Sequence, residues 1–153
     1  MRTALASTLM LMAPVLAWGE AQALDACTIL TVDEINGVAG GAVEKVQAVR
    51  AGNPTECIFT DGKRAAVLTI KMRQVQYAPV DELAQEREND QKVYHEHAKD
   101  IKAVGEHAYW SPAGHQLVFH KGKTLVYVTF SRAKNQNEVD SAQIGRMIEQ
   151  KLK

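Results

Sequence analysis

Within Thr55 to Arg73 apolar and polar positions tend to alternate, Ile58 and Val67 excepted. Cys57, Phe59, Leu68, Ile70 and Met72 are apolar, while Thr60, Thr69, Lys71 and Arg73 are polar. Successive side chains of a strand leave opposite sides of a sheet, so this pattern predicts two strands of a sheet wet on one side. Asp61-Gly62-Lys63-Arg64 between them predicts a tight hairpin, with Gly62 at the first central position of a type II′ turn. Pairing across that turn places Cys57 and Phe59 on one face with Ala66, Leu68, Ile70 and Met72. A further strand over Val43 to Arg50 precedes them, separated by the loop Ala51-Gly52-Asn53-Pro54.

The second half of the chain reads much like the first. Strands are predicted over Ala103 to Trp110, Gln116 to His120 and Leu125 to Ser131, with turns at Ser111-Pro112-Ala113-Gly114 and Lys121-Gly122-Lys123-Thr124. The same pairing collects Leu117, Phe119, Val126, Val128 and Phe130 on one buried face. An offset of about 60 positions aligns Phe59 with Phe119, Gly62-Lys63 with Gly122-Lys123 and Thr69 with Thr129 without a gap. The competing reading is that any two Gly-Lys hairpins look alike.

Helical patterns lie around these strands. Thr31-Val32-Asp33-Glu34 is a capping box, opening a helix to about Ala39 that Gly40-Gly41 stops. Pro79 opens a second helix through about Lys99, with Asp81 and Glu82 near its positive end. Its apolar positions are sparse in the middle, so it should be mostly solvated, resting on the sheet by its ends. A third runs from about Glu138 to Leu152, with Ile144, Ile148 and Leu152 on one stripe. The expected class is α+β: an antiparallel sheet of two similar three-strand units with helices packed on one face.

The start of the chain bears on the cysteines. Arg2, an apolar run from Ala4 to Trp18 and Ala21-Gln22-Ala23 have the form of a secretory signal peptide over residues 1–23, too short to span a membrane. About 130 residues then remain as one α+β domain, 24–153. Thiols oxidise outside the cytoplasm, so Cys27 and Cys57 are expected to form a disulfide. A rival reading makes Leu24-Asp25-Ala26-Cys27 a lipoprotein box with Cys27 acylated. Asp25 and Glu20 interrupt the apolar approach that box needs, and acylation would leave Cys57 unpaired.

Lys and Arg number 18, as do Asp and Glu, and the balance survives loss of the leader. A neutral chain with no basic run argues against nucleic acid or an anionic membrane as partner. Of the five histidines, His95 and His97 fall about 200° apart on the predicted second helix and cannot share an ion. His107, Tyr109, Gln116 and His120 are expected together on the solvent side of one hairpin, forming a candidate binding surface. His107 and His120 there are weak candidate ligands for Zn²⁺ or Cu²⁺, with no third donor at matching spacing. Trp110 is expected in the core. No nucleophile elbow, zinc-helix motif, phosphate loop or Cys-x-x-Cys is present.

Cys27-Thr28-Ile29-Leu30-Thr31-Val32-Asp33-Glu34-Ile35, a later cysteine on a strand, and Val104-Gly105-Glu106-His107-Ala108-Tyr109-Trp110 together resemble the DUF3558-like group of small bacterial exported proteins. The resemblance implies an α+β domain, a Cys27–Cys57 bridge and no assigned activity or cofactor. The expectation is a non-catalytic periplasmic or secreted domain that binds an envelope protein or a small ligand, with no cofactor. A metal-handling protein using the surface histidines is the alternative, and a hydrolase a more distant one.

Overall fold

The computed structural model describes residues 24–131 and 137–152. The signal-peptide reading of 1–23 therefore lies outside the described residues. Helix α1 spans Val32–Ala39, strands β1 to β3 span Lys45–Arg50, Thr55–Thr60 and Ala66–Gln74, and α2 spans Pro79–Tyr94. Strands β4 to β7 follow at Lys99–Asp100, His107–Ser111, Gln116–Lys121 and Thr124–Phe130, and α3 at Asn137–Lys151. All seven strands form one antiparallel sheet in the order β1-β2-β3-β7-β6-β5-β4.

Two meanders, β1-β2-β3 and β5-β6-β7, meet at β3 and β7, where Thr69 lies directly opposite Thr129. The gapless 60-residue offset does not survive in the ladder. Cys57 pairs with Ile70 but Leu117 pairs with Val128, so the first hairpin is two residues longer. The turns explain the difference. At Gly122 the φ of +52° and the Lys121–Thr124 pair make the two-residue loop that was expected. In the first turn the Asp61 carboxylate accepts from the N–H groups of Lys63 and Ala65, both at 2.9 Å. That capture holds a longer loop in which Arg64, not Gly62, takes the left-handed conformation. The shift is even, so the same side chains still face inward.

One face of the sheet carries α1 and α3. Cys57, Phe59, Leu68, Ile70, Met72, Leu117, Phe119, Val126 and Val128 are buried there with Ile35 of α1 and Ile144 and Ile148 of α3. The capping box is formed: Glu34 N–H donates to Thr31 Oγ1 at 3.2 Å and Thr31 N–H to the Glu34 carboxylate at 2.7 Å. Gly40 ends α1 in the left-handed region. Cys27 and Cys57 are joined by a disulfide that ties the segment before α1 to β2. Gly145 lets α3 lie close to the sheet, because a Cβ there would sit 2.7 Å from Leu117 and 2.8 Å from Val104. Trp110 is buried in this core, as expected. No helix among the described residues is long and apolar enough to cross a membrane.

Helix α2 takes the opposite face. It packs on β5, β6 and β7, over a second small core of Val75, Leu83, Tyr109, Val118, Leu125 and Tyr127. Packing on one face thus describes α1 and α3, while α2 roofs the other side of one half of the sheet. The reason is readable in β6 and β7. Leu125-Val126-Tyr127-Val128, beside Leu117-Val118-Phe119, makes a longer apolar run than Cys57-Ile58-Phe59 of the other half, in keeping with strands covered on both faces. The helix is also shorter than expected. It ends at Tyr94, with His95 left-handed at its C-cap, and Lys99–Asp100 is already the edge strand β4. Among the described residues of α2 only Leu83 is buried.

Candidate functional site

Helix α2 is held to its face chiefly by polar contacts. Arg73 on β3 donates to Glu82 at 2.9 Å and Glu86 at 3.3 Å, and the Tyr127 hydroxyl donates to Glu86 at 3.0 Å. One helical turn on, the Tyr109 hydroxyl donates to Asp90 at 3.1 Å. Arg87 pairs with Asp100 of β4 and donates to the Ala98 carbonyl at 3.0 Å. Burial pushes the Tyr127 hydroxyl up to about 12, and pushes the Tyr109 hydroxyl up as well. Both therefore stay protonated and act as donors. Burial also raises the Asp90 carboxyl, against the hydrogen bond from Tyr109.

Beside this seam runs a half-open groove of about 630 Å³ between α2 and the β4–β5 edge. Val80, Leu83 and Ala84 of α2 form one wall, and Ile101, Ala108 and Tyr109 the floor and far wall. Arg87, Asp100, Lys102, Glu106 and His107 place polar groups around it. Arg87 is occupied by Asp100, whereas Lys102 makes no ion pair among the described residues. The size matches cavities that take a small organic molecule, and the mixture of apolar wall and few polar groups is typical of them.

At the end of the groove, His107 of β5 lies directly opposite His120 of β6. Their rings stack with centroids 5.4 Å apart and planes 28° from parallel. His120 is only 3% exposed, and neither ring nitrogen has a hydrogen-bond partner. Its nearest charge is the Glu106 carboxylate, 3.6 Å from Nδ1. Glu106 is held by backbone: its N–H donates to the His120 carbonyl at 3.0 Å, and Oε1 accepts from Gly122 N–H at 3.1 Å. Gly105 permits this approach, since a Cβ there would stand 2.6 Å from the His120 carbonyl oxygen. Burial lowers the His120 pKa, with Glu106 and the Gly122 backbone opposing and His107 reinforcing the shift.

His107, Tyr109, Gln116 and His120 do share one face, but that face is not the open surface expected. Tyr109 is buried in the small core under α2, His120 is buried between its ladder neighbours Leu125 and His107, and His107 alone of the four is exposed. Gln116 is half-buried and turned to β7, donating to Thr129 Oγ1 at 2.8 Å. His107 and His120 meet ring face to ring face. Among the described residues no group of three or more His, Cys, Asp or Glu side chains is disposed to hold a metal ion. His95 and His97 are apart, the first a helix cap and the second beyond it, 3.1 Å from Gln91 through Nδ1. The α2 wall and Asp100, Ile101 and Lys102 were not foreseen from sequence. The signal available was the doubly apolar run of β6 and β7, which required something to cover it.

No protein-family model, no curated protein and no solved structure matches the chain.

Proposed function

We propose that the chain is an exported, non-catalytic binding domain whose ligand is a small molecule seated in the groove between α2 and the β4–β5 edge. The observation that carries this reading is the groove itself: apolar walls from two elements, with few polar groups at its margin. The Cys27–Cys57 disulfide supports an oxidising compartment, periplasmic or secreted. Membership of the DUF3558-like group belongs to the same proposal and rests on the two sequence stretches that resemble it.

A panel of small alkyl and aryl acids, amines and alcohols, read by backbone amide shifts, tests the site. Compounds that bind are expected to shift the amides of Leu83, Ile101 and Ala108, and Ala84→Trp should abolish those shifts by filling the groove. Binding unaffected by Ala84→Trp would overturn the assignment.

A protein partner is a second reading, favoured by β1. All six of its residues are exposed at a sheet edge, including Val46 and Val49, and such an edge can accept another strand. Shifts confined to 45–50 on adding envelope extract would favour it over the groove.

A further inference from the structure

The least satisfied group among the described residues is His120. A neutral imidazole carries one donor and one acceptor, and here both are buried without partners. A protonated ring would need two acceptors. Two groups favour the charged ring: the Glu106 carboxylate at 3.6 Å, partly screened by solvent with 51% of its side chain exposed, and the Gly122 backbone.

Beyond Glu106 and the Gly122 backbone, the neighbouring elements offer little to hold a proton. Across the ladder on β7 stands apolar Leu125, and across on β5 stands His107. At the β6 end Lys121 faces Glu149 of α3 at 3.7 Å. From α2 the nearest charge in the groove is Arg87, committed to Asp100, and Lys102 adds a further positive charge. His107 is the one member of the pair that lines the groove, and its ring lies against His120.

We propose that the stacked His107–His120 pair is a proton-responsive latch: while the buried His120 ring is neutral it pins His107 in the groove wall, and protonation of His120 at mildly acid pH breaks the stack and loosens the pairing of β5 with β6. The latch is read from the histidines alone; only its effect on groove occupancy rests on the binding reading above. The direction follows from linkage. A histidine whose folded pKa lies below its unfolded value of 6.5 stabilises fully above that value. Stability is then lost as pH falls through 6.5 toward the folded pKa.

Hydrogen exchange of the amides at 116–121, expressed as protection factors at about pH 7.5 and about pH 5, tests this in the intact domain. Protection should fall roughly tenfold in the native protein for each pH unit by which the folded pKa is depressed, and stay nearly constant in His120→Phe. An equal fall in His120→Phe would overturn the latch. The carbon-bound ring protons of His120 give a second measure in native protein that needs no variant. Titration below the free-histidine range supports the latch, and titration at or above it removes the basis. A latch found without any compound binding the groove would sink the binding reading and leave the latch standing.

Discussion

The two halves of the sheet share a ladder but not a covering. Matching partners across the strands equates Lys45 with His107, Gln47 with Tyr109, Ile58 with Val118, Thr60 with His120 and Thr69 with Tyr127. All five pairs lie on the same side of the sheet. In the β1–β3 half these side chains are polar or half-exposed; in the β5–β7 half all but His107 are buried, with Tyr109, Val118 and Tyr127 in the core under α2. The backbone plan is nearly twofold, and the side chains of one face decide which half is roofed. A groove exists only where there is a roof to form its second wall.

The less covered half has a covalent tie instead, and breaking it tests the contrast most severely. The disulfide spans a separation of 30 residues, which in the loop-entropy account corresponds to about 3–4 kcal/mol. Cys27→Ser with Cys57→Ser should lower unfolding stability by that amount in urea titration. Hydrogen exchange should rise first in β1 and β2. An even loss of protection across β5 to β7 would show that the halves do not differ in this way.

Equivalent positions give a sharper comparison. Val118 is fully buried and Ile58 half-buried. If side-chain size set the cost, Ile58→Ala would be the worse change. If the α2 roof sets it, Val118→Ala should cost about 2 kcal/mol and Ile58→Ala below about 1 kcal/mol. Denaturant midpoints of the two variants decide the order. The reverse order would mean that the uncovered face is buried in solution by something else.

How much of this was legible follows the same division. Period-two alternation marks Leu68 through Arg73 well, because a strand wet on one face writes its orientation into the sequence. In β6 and β7 alternation fades into continuous apolar residues, and the core-facing set is found while the second face goes unread. Alternation alone therefore points Tyr109 and His120 toward solvent, whereas both are buried. The capping box at Thr31 and the bridge at Cys27 were legible because each depends on short-range chemistry or on compartment. The groove was not, since its walls come from elements about 20 residues apart whose meeting depends on tertiary packing. The helix itself hid the link: α2 docks through Glu82, Glu86, Arg87 and Asp90, which on sequence look like a solvated face.

That polar docking can be loosened without touching the core. Tyr127→Phe removes the donor to Glu86 and keeps the ring that supports Leu83 and Val118. The expected cost is about 1 kcal/mol, the usual net value of one such hydrogen bond. It should be accompanied by faster exchange along α2 and no change in β1 to β2. A loss spread over the whole domain would mean that α2 is integral to folding rather than docked upon it.

The smallest effect concerns Asp90 and has a definite sign. Burial lifts its folded pKa above the ordinary 3.8, so its contribution to stability is fully present below that value. It is lost as pH rises through the folded pKa, when the carboxyl must ionise in a half-buried position. Asp90→Asn keeps an acceptor for the Tyr109 hydroxyl and removes the ionisation. The variant should gain a few tenths of a kcal/mol near neutral pH and nothing near pH 4, because a half-exposed site is softened by solvent. Urea midpoints at the two pH values read this directly. If Asp90→Asn is instead weaker at neutral pH and equal to the native protein in acid, the ionised carboxylate is what Tyr109 holds, and hydrogen bonding outweighs burial at this end of the seam.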